Sequence, residues 1–286
     1  EKTVVPARPW SLLPAGLWPR WVSGLGKCGT LLQPPWPDVV VSCGRRAIGP
    51  TLWVKRQSDG RAKAVHAQHP RTAVDAYDAI IGQSHDGLGG PNVIKVKGSM
   101  HRITEGVLAA AAARQGAVFE DIPHPTIAVL IGGTNSTYQM TAEITRRLAD
   151  DLQSLVARSG CGLLVTASRR TGEENLALLR ERITGPKIYF WDGMGDNPYF
   201  AFLAQADSIL VTGDSVNMIS EACFTGKPVY VLALEGGSGS KFERFHTEMR
   251  LAGHTRPFQG KLEEWRPVRL DETSRVAREI VARLGL

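Results

Sequence analysis

Asp207-Ser-Ile-Leu-Val-Thr-Gly-Asp-Ser-Val-Asn-Met-Ile-Ser-Glu-Ala-Cys-Phe-Thr-Gly-Lys-Pro-Val-Tyr-Val-Leu-Ala-Leu-Glu235 is the stretch whose reading decides the fold. Its apolar run Ile209 to Val211 predicts a buried strand, Thr212-Gly213-Asp214 a tight turn, and Ser215 to Thr225 a helix. Gly226 and Pro228 stop that helix, and Val229 to Leu234 makes a second buried strand. Such a unit sets a helix N-terminus at the carboxyl edge of a parallel sheet, where unpaired backbone N–H groups favour an anion. Along the helix Asp214, Asn217, Met218 and Glu221 share one face, and Val216, Ile219 and Cys223 the opposite one. The apolar face packs on the sheet, which leaves the polar face for solvent or a ligand.

The same grammar repeats outward from this stretch. Asp38-Val-Val-Val-Ser-Cys-Gly-Arg-Arg-Ala-Ile-Gly-Pro50 echoes it, with a helix at about Arg46 to Arg56 and strands at Ala62 to Gln68 and Ala76 to Ile81. Ile103 to Gln115 reads as a helix capped by Thr104. Phe119 to Thr126, with two prolines and no periodicity, is the natural linker. Beyond it come a strand at Ile127 to Ile131, a helix at Met140 to Ser159 and a strand at Gly162 to Thr166. A helix at Gly172 to Ile183 and a strand at Lys187 to Trp191 follow. Strands alternating with helices imply parallel sheets covered on both faces. The expected fold is α/β: two Rossmann-like domains, residues 1–122 and 123–286, whose parallel sheets face each other across a cleft. The last helix, about Thr273 to Leu284, is expected to return toward the first domain.

Composition narrows the classes. The 286 residues are 43% hydrophobic and 22% charged, as in a soluble globular protein, and can form two domains of ordinary size. The chain opens on Glu1 rather than Met and in irregular sequence, which suggests a missing leading segment and a first domain lacking its first strand. No stretch is long and apolar enough to cross a bilayer, and nothing resembles a secretory signal. Cys28, Cys43, Cys161 and Cys223 lack paired metal-ligand spacing and read as reduced core thiols of a cytoplasmic protein, so no metal is expected. The net charge of +6 is spread along the chain without an arginine-rich block, which speaks against nucleic acid and for a phosphate-bearing ligand or an anionic membrane surface.

Several groups can carry chemistry. Gly132-Gly133-Thr134-Asn135-Ser136-Thr137 follows a strand and opens a helix; its glycines permit close approach and its polar groups can bond a diphosphate, while an ordinary turn and N-cap would use the same residues. Gly213-Asp214-Ser215 forms the second such turn, Asn217 follows on the polar face of the helix, and Glu221 can accept hydrogen bonds from a ribose diol or stay solvated. Ser168 and Arg169, with Arg170 and Thr171, end a strand where arginine can clamp phosphate, and Arg45-Arg46 has the same standing in the first half. Ser84-His85-Asp86-Gly87 ends another strand, where His85 can act as a base or merely order a loop; His101-Arg102 is a weaker copy. The glycine-rich segment from Glu235 to Phe242 suits a loop that closes on a ligand through Glu235 or Lys241, or a plain surface loop. Trp10, Trp18, Trp21 and Trp36, near Arg20 and Lys27, can touch a membrane interface or a protein partner, or pack beneath an irregular segment.

Taken in order, these motifs resemble a known family. Pro34 to Arg46, His85 to Val93, Ile131 to Asn135, Ser168 to Thr171, Thr212 to Ala222 and Lys241 to His246 are similar to segments of the mitochondrial-fission "elongated mitochondria" family, over about residues 30 to 260. Plant members of that family promote mitochondrial division by recruiting a dynamin-related protein to the outer membrane. The later domain also resembles the donor domain of GT-B glycosyltransferases. That likeness implies that Gly213, Asp214, Ser215 and Glu221 bind a nucleoside diphosphate, with Gly133 and Thr134 beside it. The chain departs from the pattern in lacking the family's usual opening strand and glycine turn, and no residue matches the glycosyltransferase base outright.

The leading expectation is therefore a nucleotide-sugar-binding, glycosyltransferase-like protein that uses neither cofactor nor metal. Backbone amides and Arg169 would stabilise a departing diphosphate while His85 or Asp86 deprotonates an acceptor hydroxyl. The alternative is a non-catalytic scaffold, peripheral to a membrane, that recruits a partner through its tryptophan-rich start. A dinucleotide-dependent epimerase or dehydrogenase is disfavoured, because no strand leads into Gly-x-Gly-x-x-Gly.

Overall fold

The computed structural model describes residues 32–71 and 74–286. Trp10, Trp18, Trp21 and Cys28, and with them the expected membrane-facing segment, lie outside the described residues. The chain divides into two compact units, the first running to Val96 and taking back Ser274–Leu286, the second spanning Lys97–Thr273.

The first unit holds a four-stranded parallel sheet, β1 (Val39–Cys43), β2 (Lys63–Ala67), β3 (Ala79–Gln83) and β4 (Val93–Val96), hydrogen-bonded in chain order. Helix α1 (Ile48–Gln57) connects β1 to β2. The core gathers Ala64, Tyr77, Ile80, Leu88 and Val93. Cys43, expected in a core, is exposed at the end of β1, the edge strand among the described residues; Cys161 and Cys223 are buried.

The second unit begins with α2 (Glu105–Gln115), whose Thr104 cap accepts from the Val107 amide at 3.2 Å. Its sheet has the order β12-β10-β9-β5-β7-β8 and is parallel throughout. The strands are β5 (Thr126–Ile131), β7 (Gly162–Ala167), β8 (Ile188–Phe190), β9 (Ser208–Thr212), β10 (Val229–Leu232) and β12 (Arg256–Pro257). Two short strands, β6 (Tyr138–Gln139) and β11 (Glu235–Gly236), pair antiparallel above the carboxyl edge. All six residues of β5 are buried, and they alternate between two cores as a pleat requires. Ile127, Val129 and Ile131 meet Leu148 and Leu152 of α3 (Ala142–Ser159) and Leu179 of α4 (Glu173–Arg182). Ala128 and Leu130 meet Phe202 of α5 (Tyr199–Gln205), Ile219 of α6 (Val216–Phe224) and Phe245 of α7 (Lys241–Leu251).

Two boundaries differ from the sequence reading. The division falls after Val96 rather than at 122/123, because α2 packs on α5 and contributes Ala111 to the second core. The segment read as a linker lies inside the second unit and is anchored in its core at Phe119, which is 5% exposed and meets Phe202 edge-on at 5.3 Å. The final helix α8 (Glu272–Leu284) does return to the first unit, where Arg283 donates to the Pro91 carbonyl at 3.1 Å.

Candidate functional site

The carboxyl edge of the six-stranded sheet brings the two glycine turns together, but it fills them with the protein's own groups. Asp214 is only 3% exposed, and its carboxylate accepts from the Gly133 amide at 3.1 Å, the Thr212 hydroxyl at 2.6 Å and the Arg170 guanidinium at 2.6 Å. The Gly132 amide donates to Thr212 Oγ1 at 2.7 Å and the Thr134 amide to the Arg170 carbonyl at 3.2 Å. Asn135 is spent internally as well: its Nδ2 donates to the Asp214 carbonyl at 3.1 Å and its Oδ1 accepts from the Thr137 and Tyr138 amides. Ser168 and Thr171 hydroxyls both donate to the Gly132 carbonyl. The expectation of open amides at Gly132, Gly133, Thr134 and Asn135 is therefore corrected, since a buried backbone donor takes whatever acceptor the fold offers. Ser168, expected beside a phosphate, is likewise turned inward.

The glycines serve close packing instead. A Cβ on Gly132 would lie 2.2 Å from Asp214 Oδ1, and one on Gly133 (φ 154°) would lie 2.1 Å from the Arg170 carbonyl oxygen. Asp214, placed on a ligand-facing side by helical periodicity, precedes the helix and points into this knot. Gly213 donates to the Leu232 carbonyl at 3.0 Å, and its own carbonyl meets His246 Nε2 at 2.8 Å. Ser215 is the N-cap of α6 and accepts from the Met218 amide at 3.3 Å.

About two turns further along α6 stands a second carboxylate. Glu221 is half-buried, and the Tyr199 hydroxyl donates to its Oε2 at 2.6 Å. Burial holds the Glu221 carboxyl above the usual carboxylate range, with the Tyr199 bond and the Arg102 charge pulling the other way. Burial, and then the adjacent Glu221 charge, push the Tyr199 phenol well above its ordinary value. Arg102 lies over the Phe200 ring at 5.3 Å, and Asn217 and Arg169 are exposed. Glu221, Tyr199 and Arg102 make a carboxylate with one oxygen fixed and a cation beside it.

The two arginines of one pair part ways. The 3-10 turn Arg169–Thr171 sends Arg170 inward to Asp214 and leaves Arg169 at the surface. Tyr199 and His246 were missed: no helix was expected at 199–205, and His246 falls on α7, whose start was read as a loop. The segment Glu235 to Phe242 is not a free loop, because β11 pins it to β6 and Ser240 caps α7. Lys241 is the exposed first residue of that helix.

In the first unit, His85 and Asp86 lie in the 3-10 turn Ser84–Asp86 after β3. His85 is 3% exposed, whereas Asp86 is half-buried. Ser42 and His66 approach at 2.9 Å on adjacent strands, and burial pushes the His66 imidazole down to about 4. Among the described residues no group of three or more His, Cys, Asp or Glu is arranged to hold a metal, and no helix is long and apolar enough to cross a membrane.

The two parallel α/β units define a GT-B-like, two-Rossmann protein. Solved structures bear out that class: UDP-GlcNAc 2-epimerase from Methanocaldococcus jannaschii is similar at TM-score 0.55 and 15% identity, over 86% of this chain and 77% of that one. The same enzyme in complex with UDP-GlcNAc and UDP gives TM-score 0.50 and 15% identity, over 88% and 78% of the two chains. Residues 1–284 match the family described as Mitochondrial fission ELM1, and the chain belongs to that family. It is similar to the Mitochondrial fission protein ELM1 of Arabidopsis thaliana, 29% identical over 86% of this chain, and spans 65% of that relative's length. A Rickettsia prowazekii protein, RP120, is 25% identical over 84% of this chain and 78% of its own.

Proposed function

We propose that this protein recognises a nucleoside diphosphate-sugar on the α5–α6 flank of its second unit. The observation that carries the reading is Glu221: a half-buried carboxylate, raised in pKa by burial and oriented by Tyr199, one helical turn from an exposed Asn217. Keeping such a group costs folding free energy, and groups of that kind concentrate where ligands bind. Its Oε1 is the acceptor for a ribose diol, with the diphosphate at the first turn of α6 and Arg169 as an exposed cation for it. Asp214 does not cancel the field of that helix end, because Arg170 offsets its charge. The fold of the sugar-nucleotide epimerases and membership of the fission family support this reading.

We favour binding without sugar transfer. The specific observation is the burial of His85, which withdraws the imidazole of the two candidate bases from solvent. A bound nucleotide-sugar would then act as a signal, with recruitment of a protein or membrane partner as the output of the whole protein. Thermal shift and calorimetry with uridine diphosphate and its sugars test the reading. A ligand at 100 times its dissociation constant adds about 2.7 kcal/mol to stability. Glu221→Ala is expected to weaken binding at least tenfold while leaving the unliganded fold intact. No response from the wild type across nucleoside diphosphates would sink the proposal.

A further inference from the structure

A cleft of about 430 Å³ opens beside Gly213, lined by α7, the carboxyl end of β10 and β12. That volume falls within the roughly 300–1,000 Å³ of small-molecule sites. Neither Glu221 nor Tyr199 lines it. Its two walls differ in kind. Helix α7 contributes Glu243, His246, Thr247 and Arg250, which recur at the spacing of one helix face. Opposite them stand Val231, Leu234 and Pro257, with the Tyr138 ring alongside.

Most of the polar side chains in the cleft are already engaged. Glu243 Oε2 accepts from the Gly239 amide at 2.6 Å. Arg256 pairs with Glu263 and lies over the Trp265 ring at 4.8 Å. His246 spends its Nε2 on the Gly213 carbonyl, and burial disfavours its charged form. The Arg250 side chain is exposed and has no ion-pair or hydrogen-bond partner among the described residues. Arg250 is thus the lining cation left without a partner, on the helix face across from apolar side chains and an aromatic ring.

We propose that this cleft is a second binding site, separate from the Glu221 flank, for a small aromatic anion: a planar apolar body carrying a carboxylate, sulfonate or phosphate. The ring packs against Val231, Leu234 and Tyr138, where burial and ring–ring contact both favour a flat apolar group. The anion meets the Arg250 guanidinium, with the Thr247 hydroxyl one turn earlier on α7. Gly213, whose carbonyl is tied to His246, forms the end of the cleft nearest α6.

The test is a fluorescence titration of the whole chain with anilinonaphthalene sulfonate, an aromatic sulfonate of the required type. Wild-type protein is expected to bind it saturably at one site. Arg250→Glu should weaken binding at least tenfold and Arg250→Gln several-fold, and Thr247→Trp, which fills the cleft from an exposed lining position, should abolish it. Because positions 247 and 250 are exposed, the thermal midpoints should stay at the wild-type value. Failure of the wild type to saturate, or wild-type binding by Arg250→Glu or Thr247→Trp, overturns the proposal. Displacement of the probe by uridine diphosphate also overturns it, since the two sites would then be one.

Discussion

Two carboxylates flank the start of α6 and live in opposite surroundings. Asp214 is buried and takes three donors from the protein, whereas Glu221 is half-buried and takes one. The first closes the sheet edge on itself; the second faces outward with an acceptor to spare. The glycine turns that look most like a ligand cradle are thus a brace, and the proposed ligand position lies about two turns along the helix, at Glu221. An anion held by backbone amides need not come from outside, because an aspartate at the right register supplies it.

Breaking the brace should produce the largest effects. In Gly133→Ala the new methyl meets a backbone carbonyl, which cannot swing aside, at a φ of 154° that side chains rarely adopt. A loss of about 4 kcal/mol in urea unfolding is expected, or failure to fold. A near-wild-type midpoint would mean the turn is loose and the brace unimportant. Asp214→Ala comes next. It leaves the Gly133 amide and Thr212 hydroxyl buried without their acceptor, for about 2–3 kcal/mol. The Arg170 contribution to that figure is small, because its side chain is 45% exposed and screened. In a unit of this size the thermal midpoint should fall by roughly 5–10 °C.

The sheet edge was legible in sequence where burial writes a long, one-sided signal. Ile127 to Ile131 and Ile209 to Val211 are continuous apolar runs because both faces of β5 and β9 are covered, and Ser215 and Thr104 mark helix starts by their capping chemistry. Two helices escaped for local reasons. The sequence of α5, Tyr199-Phe-Ala-Phe-Leu-Ala-Gln205, is short and apolar nearly all round, so it has no period to detect. At the start of α7 the preceding glycines outweighed Ser240-Lys-Phe-Glu243, a capping signal that the structure uses: Ser240 accepts from the Phe242 amide and Glu243 from that of Gly239. Side-chain direction inside a turn was beyond reach. Nothing in Ser168-Arg169-Arg170-Thr171 says which arginine enters the Asp214 knot, since a single 3-10 turn decides it.

Sharpening the comparison requires changes on the open side, where the expected effects are smaller and one reverses sign. The folded-state pKa of Glu221 lies above its unfolded value, so the folded protein keeps that proton to higher pH than the unfolded chain does. Stability therefore falls as pH rises from the ordinary carboxylate value through the raised one. Glu221→Gln should consequently be neutral or stabilising at pH 7, by less than about 1 kcal/mol, with the difference vanishing below the usual carboxylate range. The same variant should bind uridine diphosphate less tightly, so stability and affinity move in opposite directions, whereas at Asp214 both decline. Tyr199→Phe is the mildest change. It removes the donor at 2.6 Å but leaves the carboxylate, so nucleotide affinity should drop only a few-fold, with the dependence on pH retained. If Tyr199→Phe weakened binding as much as Glu221→Ala, the hydroxyl would be touching the ligand itself, and the carboxylate's orientation would no longer explain the site.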